Sequence, residues 1–335
     1  MNRPIIAIPM GDAAGIGPEI TVKAMADTAT QDIARCVVVG DKKILEQAMD
    51  FSKVELDIQV IQSPEQGNYR AGILNLIDLN NINSNTFKIG EIQAATGQAA
   101  YDYIECATKL CLNHQADVLT TTTINKESLK LAGVPYIGHT EILGALTDAK
   151  HPLTLFQVRN LRVFFLSRHL SLREACDYVT FEHMQAFISE CVDALSVLGI
   201  QKPRIAVAGL NPHSGEHGLF GNEEMEAVMP AVDDAQKKGI DIHGPIGADS
   251  VFHQALNGAY DAVLSLYHDQ GHIATKMVDF ERTISITCGM PILRTSVDHG
   301  TALDIAGKGI ASPVSLIEAI RLAAEYAPKF QCDHF

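Results

Sequence analysis

Short apolar runs, often β-branched, recur along this chain; several stop at Gly, Thr or clusters holding His, Asp and Arg, and most are followed by helical spacing. Arg35–Gly40, Asp117–Leu119, Arg204–Ala208 and Ala262–Leu266 show the pattern. Runs so short and so apolar read as strands buried on both faces. Their alternation with helices is the signature of a largely parallel α/β sheet. The pattern also says where to look for function. In open α/β sheets, ligands gather beyond the carboxyl ends of the strands.

The stretch Tyr260–Ala311 carries the densest chemistry. Ala262–Leu266 stops at Tyr267-His268-Asp269-Gln270-Gly271, and a second apolar run, Ile284–Leu293, stops at Arg294-Thr295-Ser296-Val297-Asp298-His299-Gly300. Pro4–Met10 is a further strand, entering the loop Gly11-Asp12-Ala13-Ala14-Gly15-Ile16-Gly17 ahead of Pro18. Pro18 suits a first helical turn. The loop reads either as a tight structural turn or as a set of backbone N–H groups for a phosphate. It is neither a GxGxxG fingerprint nor a Walker loop.

Leu56–Ile61 and Gly72–Leu79 read as strands, and Leu153–Val158 with Leu161–Ser167 as an antiparallel hairpin around Arg159-Asn160. The expected helices are Lys42–Met49, Ile92–Asn113, Ile142–Leu146, Leu172–Val179, His183–Leu198, Asn222–Lys237 and Ser312–Ala327. Thr140 is the candidate cap of the third, and Asp249 of a helix that follows the loop Gly244–Asp249.

At 335 residues the chain is long enough for one large or two medium domains, and 47% hydrophobic residues supply the core. A net charge of −14 argues against nucleic acid or an anionic membrane as partner. No signal-peptide-like opening is present, and no apolar run reaches the roughly 18 residues of a membrane span. Seven scattered cysteines, Cys36, Cys106, Cys111, Cys176, Cys191, Cys288 and Cys332, form no CxxC and suit a reduced, cytoplasmic protein.

His169, His213 and His268 each lie just past an apolar strand. Three imidazoles on one sheet edge suit a divalent metal with an open coordination position; capping or pocket-lining roles are the alternative. His268 and His272 share a helix face, without the HExxH pattern of a protease. Lys276 and Arg294 are cations near the same runs, suited to phosphate or carboxylate. Asp249, Asp269 and Asp298 are candidate ligands, orienting groups or caps. No GxSxG elbow or cysteine–histidine protease pattern supports covalent hydrolysis.

Taken together, GDAAGIGPE, GHTE, NPHSGE, YHDQG and RTSVDHGTALDIAGKG resemble, in order, the blocks of the 4-hydroxythreonine-4-phosphate dehydrogenase family of vitamin B6 biosynthesis. The resemblance implies an isocitrate/isopropylmalate dehydrogenase-like fold of two α/β domains with a cleft between them. The corresponding division is 1–130 with 295–335, and 131–294. It implies a homodimer with the active site at the subunit interface. It implies NAD or NADP and a divalent metal (Zn, Mg, Mn or Co) acting on a small phosphorylated 3-hydroxy acid, whose β-keto product loses carbon dioxide.

By the same resemblance His169 and His213 bind the metal from one subunit and His268 from the other. His139, Thr140, Lys276 and Arg294 contact substrate, and Asp249 and Asp269 join His139 and Lys276 as catalytic candidates. The group that removes the hydroxyl proton stays open among His139, Lys276 and water on the metal; no residue is assigned to the nicotinamide. Two features depart from the biosynthetic enzymes: Ser285 replaces a substrate-contacting Asn, and Ala13 replaces a Pro. With Gly72–Leu79 they resemble a second branch that acts on 4-phospho-D-threonate or 4-phospho-D-erythronate. A metal-dependent phosphohydrolase or lyase, and a non-catalytic binding protein for phosphorylated sugar acids, are the rival readings. A third branch of the family oxidises aromatic cis-dihydrodiols.

Overall fold

The computed structural model describes residues 3–149 and 152–330. Cys332 lies outside the described residues; the other six cysteines are free thiols. Burial pushes the Cys36 and Cys288 thiols up to about 12, as expected of packing residues rather than nucleophiles. No helix among the described residues is long and apolar enough to cross a membrane.

The strands are β1 (Ile5–Pro9), β2 (Arg35–Gly40), β3 (Asp57–Val60), β4 (Ile73–Asp78), β5 (Val118–Thr121), β6 (Leu153–Val158), β7 (Leu161–Phe165), β8 (Ile205–Ala208), β9 (Ile242–Ile246), β10 (Ala262–Ser265), β11 (Ile284–Cys288) and β12 (Leu293–Ser296). The chain divides into two compact units. Among the described residues, one is built from 3–149, Pro152 and 289–330, the other from Leu153–Cys288.

In the first unit the strand order is β3-β4-β2-β1-β5-β12, and every pairing is parallel. The residues of β2, β5 and β12 are buried almost throughout, which explains why, Arg35 and Arg294 apart, they carry no charged side chain. The helix Ala94–Leu112 buries Tyr103, Ile104 and Ala107, recurring at helical spacing. The Tyr103 hydroxyl donates to Asp41 Oδ2 at 2.7 Å, so one of the largest buried side chains keeps its polar tip satisfied.

The second unit is mixed, in the order β11-β6-β7-β10-β8-β9. β6 pairs antiparallel with both β11 and β7, and the hairpin turns at Arg159, whose φ is 50°. β7, β10, β8 and β9 then run parallel. Its core gathers Phe156, Val163, Phe165, Ala206 and Val263 from the strands, with Phe252 from the helix Ala248–Leu256.

Four local expectations change. The run Ile284–Leu293 is two strands, β11 and β12, because Gly289 takes φ 76° and Pro291 follows with no N–H. Arg294 consequently lies inside β12 rather than just beyond a strand. The segment around Gly244-Pro245 is strand β9, tolerable because β9 is the edge strand of its unit. The helix over 222–237 divides into a π-helical turn, Glu224–Val228, and an α-helix, Met229–Lys237, with Pro230 at the join. Neither expected cap acts as one: the helices His139–Thr147 and Ala248–Leu256 start after Gly138 and Gly247, which offer no side chain.

Candidate active site

In the first unit, the loop after β1 uses its own donors. The N–H groups of Asp12, Gly15 and Ile16 go to Thr123 O, Asp12 O and Thr301 O at 2.9, 3.1 and 3.0 Å. Ala14 N–H goes to Asp12 Oδ1 at 2.9 Å. This is the structural turn, stitched to the loop around Thr301. Burial raises the Asp12 carboxyl against the hydrogen bonds that oppose it.

Arg294 is 5% exposed, and its Nε and Nη2 both donate to Thr121 Oγ1, at 3.1 and 2.8 Å. His139 opens the helix His139–Thr147, followed by Thr140. Glu141 Oε2 accepts the N–H of Ile137, ahead of the Gly138 N-cap, at 2.7 Å, and the first helical N–H groups take no side-chain cap. Burial first, and then the Arg294 charge, hold the His139 imidazole well below its ordinary pKa. His139 and Arg294 are thus electrically coupled, with the imidazole neutral.

In the second unit the three imidazoles follow neighbouring parallel strands: His169 follows β7, His268 follows β10 and His213 follows β8. All three are exposed at that carboxyl edge. Their loops are tied together by side chains that sequence reasoning passed over. Ser167 Oγ donates to Leu266 O at 3.0 Å. Gln270 accepts the N–H of Leu266 and donates to Gly209 O, both at 2.8 Å. Gln270 stands in the YHDQG block itself, and its burial to 9% exposure is what distinguishes it from a surface amide.

The His213 loop is unusual. His213, Ser214, Glu216 and His217 have φ values of 53°, 54°, 42° and 55°. Left-handed backbone costs roughly 1–2 kcal/mol for each such residue. The fully buried Glu224 offsets this cost. Its Oε1 accepts the N–H groups of Leu210 and Asn211 at 2.8 and 2.7 Å, and its Oε2 accepts Asn211 Nδ2 at 2.9 Å.

His268 opens the helix His268–Val278. A Cβ at Gly271 would lie 2.5 Å from the Phe165 ring and 2.8 Å from Val163, so only glycine lets this helix press against β7. The i, i+4 spacing stacks His268 on His272, with ring centroids 4.1 Å apart. His272 packs on Phe165 and Phe156 at 4.7 and 4.4 Å. Burial, then His268, Lys276 and Arg168, push His272 down to about 4. Lys276 lies over the Phe280 ring at 5.0 Å, and Ser285 is 8% exposed on β11 opposite Phe156. Asp249 is exposed in the first turn of Ala248–Leu256.

The donor chemistry fits a divalent metal. His268 Nδ1 meets Asp269 Oδ1 at 2.7 Å, the carboxylate–histidine arrangement that leaves Nε2 to act as a ligand. Among the described residues of one chain, no three His, Cys, Asp or Glu side chains converge to hold an ion. His169, His213 and His268 share an edge without forming a closed set.

Residues 32–323 match the family described as "Pyridoxal phosphate biosynthetic protein PdxA". A protein of Fusobacterium nucleatum, provisionally named D-threonate 4-phosphate dehydrogenase, is 59% identical over 98% of this chain and 99% of its own length. A Clostridium botulinum protein of the same provisional name is 57% identical over 98% of this chain and 99% of its own. Among solved structures, a 4-hydroxythreonine-4-phosphate dehydrogenase of Klebsiella pneumoniae superposes with a TM-score of 0.90, at 38% identity, over 97% of this chain and 98% of that one. The chain belongs to the PdxA family and has the isocitrate/isopropylmalate dehydrogenase-like fold.

Proposed function

We propose that this protein is a dehydrogenase that uses NAD or NADP and a divalent metal. Its substrate is 4-phospho-D-threonate or 4-phospho-D-erythronate, and the β-keto acid formed loses carbon dioxide. The observation that carries this reading is the set of three imidazoles following β7, β10 and β8, at one sheet edge in a chain of this family. The names of relatives 57–59% identical support the substrate class.

Each site of a homodimer would take His169 and His213 from one subunit and His268 from the other. Exposed apolar residues adjoining two of the imidazoles support this: Leu170 follows His169 in the chain, and Phe220 lies 6.3 Å from His213. An all-imidazole set suits Zn or Co better than Mg. When bound, the metal would lower the hydroxyl pKa and polarise the ketone, while the nicotinamide would take the hydride.

The chain's own groups do the rest. Arg294 and Lys276 serve the phosphate and carboxylate, and the Thr140 hydroxyl is a further substrate contact. His139 is one candidate acceptor for the substrate's hydroxyl proton; burial and the Arg294 charge keep it neutral while opposing its protonation. Asp269 orients His268, and Asp249 is a further carboxylate for proton transfer. Ser285 offers a hydroxyl where an amide would distinguish a polar substituent. The free thiols accord with a cytoplasmic location, and the charge of −14 with the absence of a nucleic-acid partner.

Oxidation of 4-hydroxythreonine 4-phosphate is the second reading, favoured by the name of the Klebsiella structure. The test presents all three phosphorylated acids with NAD or NADP and Zn, Mn, Co or Mg. Nicotinamide reduction should be fastest with 4-phospho-D-threonate or 4-phospho-D-erythronate. Phosphate release without any nicotinamide reduction would overturn the proposal in favour of a phosphohydrolase.

A further inference from the structure

The Thr121 hydroxyl has no role in the reaction as described above, yet its surroundings are specific. β5 ends at Thr121, and the β5–β12 register sets Ser296 directly opposite. Arg294 is two residues back along β12 and therefore on the same face. Thr121 Oγ1 receives both Nε and Nη2 of Arg294. A hydroxyl has one proton and two lone pairs. With a cation donating to it twice, its proton must point away from Arg294. It points to Ser296 Oγ, 2.9 Å away, and Ser296 donates onward to Val297 O at 2.9 Å. The chain of donors therefore runs in one direction, from guanidinium to backbone carbonyl.

A second rung steadies the first. Thr120 and Thr295 hydroxyls meet at 2.9 Å, and Thr295 donates to Ala319 O in the helix Val314–Tyr326, also at 2.9 Å. Thr120, Thr121, Thr295 and Ser296 are all buried. Four hydroxyls inside a buried strand pair are costly unless each is paired, and here they are.

We propose that Thr121 is a positioning residue: it fixes the plane of the Arg294 guanidinium for recognition of the substrate's anionic group, and Ser296 fixes the direction of the Thr121 hydroxyl. This rests on the reading of Arg294 as a substrate contact. An arginine fork recognises a carboxylate or phosphate by matching planes, so its orientation matters as much as its charge. Threonine adds a stiff χ1, which a serine would lack.

The experiment compares Thr121→Val, Thr121→Ser, Ser296→Ala and Arg294→Ala. It reads KM against kcat for the phosphorylated acid that the enzyme turns over, and inorganic phosphate binding by calorimetry. Thr121→Val should raise KM, or weaken phosphate binding, by about ten- to a hundredfold, the size of a lost charged hydrogen bond. Thr121→Ser should recover most of that loss, Ser296→Ala should show a smaller loss, and kcat should change less than KM. If Arg294→Ala changes neither KM nor phosphate binding, the reading of Arg294 fails. If Arg294→Ala impairs either one and Thr121→Val does not, the positioning role alone is overturned. Should Thr121→Val fail to fold, Ser296→Ala decides: wild-type KM and phosphate binding in that variant would overturn the proposal.

Discussion

The two units prepare their functional groups in opposite ways. In the all-parallel unit, Arg294 is buried at 5% exposure and its guanidinium is held by a hydroxyl fixed in turn by the next strand. In the mixed unit, His169, His213 and His268 stand exposed at one carboxyl edge of the strands, with the exposed Leu170 next to His169 in the chain and the exposed Phe220 at 6.3 Å from His213. The first arrangement is finished within one chain. The second has its scaffold finished, through Ser167, Gln270 and Glu224, while its ligand set stays open. Ligands proposed to meet a second copy of the chain have to remain on the surface until they meet.

The contrast is most easily broken at Glu224. Glu224→Ala strands the N–H groups of Leu210 and Asn211 and leaves the left-handed His213 loop without its anchor. The expected cost is about 3 kcal/mol, read as a lower urea midpoint, together with weaker binding of added Zn or Co. An unchanged midpoint and unchanged metal affinity would mean that the loop holds itself.

A smaller effect sharpens the other side. His139 is depressed in the fold, so the unfolded chain binds its proton more readily. Its contribution to stability is intact above the unfolded value near 6.5 and is lost as pH falls from there towards the folded value. The slope from this one group is at most about 1.4 kcal/mol per pH unit. His139→Gln should flatten the stability–pH curve below about pH 6.5; an identical curve would show that the imidazole is not held neutral.

The placement of His169, His213 and His268 was legible because a polar residue directly after a buried parallel strand falls at the sheet edge. The Arg159-Asn160 hairpin was legible for the similar reason that two apolar runs lay a turn apart. The break at Gly289 was hidden by the apolar residues on both sides of it, and β9 by a Gly-Pro pair that reads as loop until the strand is known to be an edge. Thr121 and Arg294 lie 173 residues apart, and strand pairing alone brings them together. Glu224 looks like any acidic residue opening a helix; only its burial reveals that it organises the preceding loop.

Mixing two defective chains tests most directly the claim that the metal set is completed by a second copy. His169→Ala and His268→Ala should each be inactive alone and lose metal. Dissociated and reassociated together, half the dimers should be mixed, each with one intact site of two, giving about a quarter of wild-type activity and metal content. No recovery on mixing, or full metal occupancy in a monomeric wild-type chain, would contradict the account.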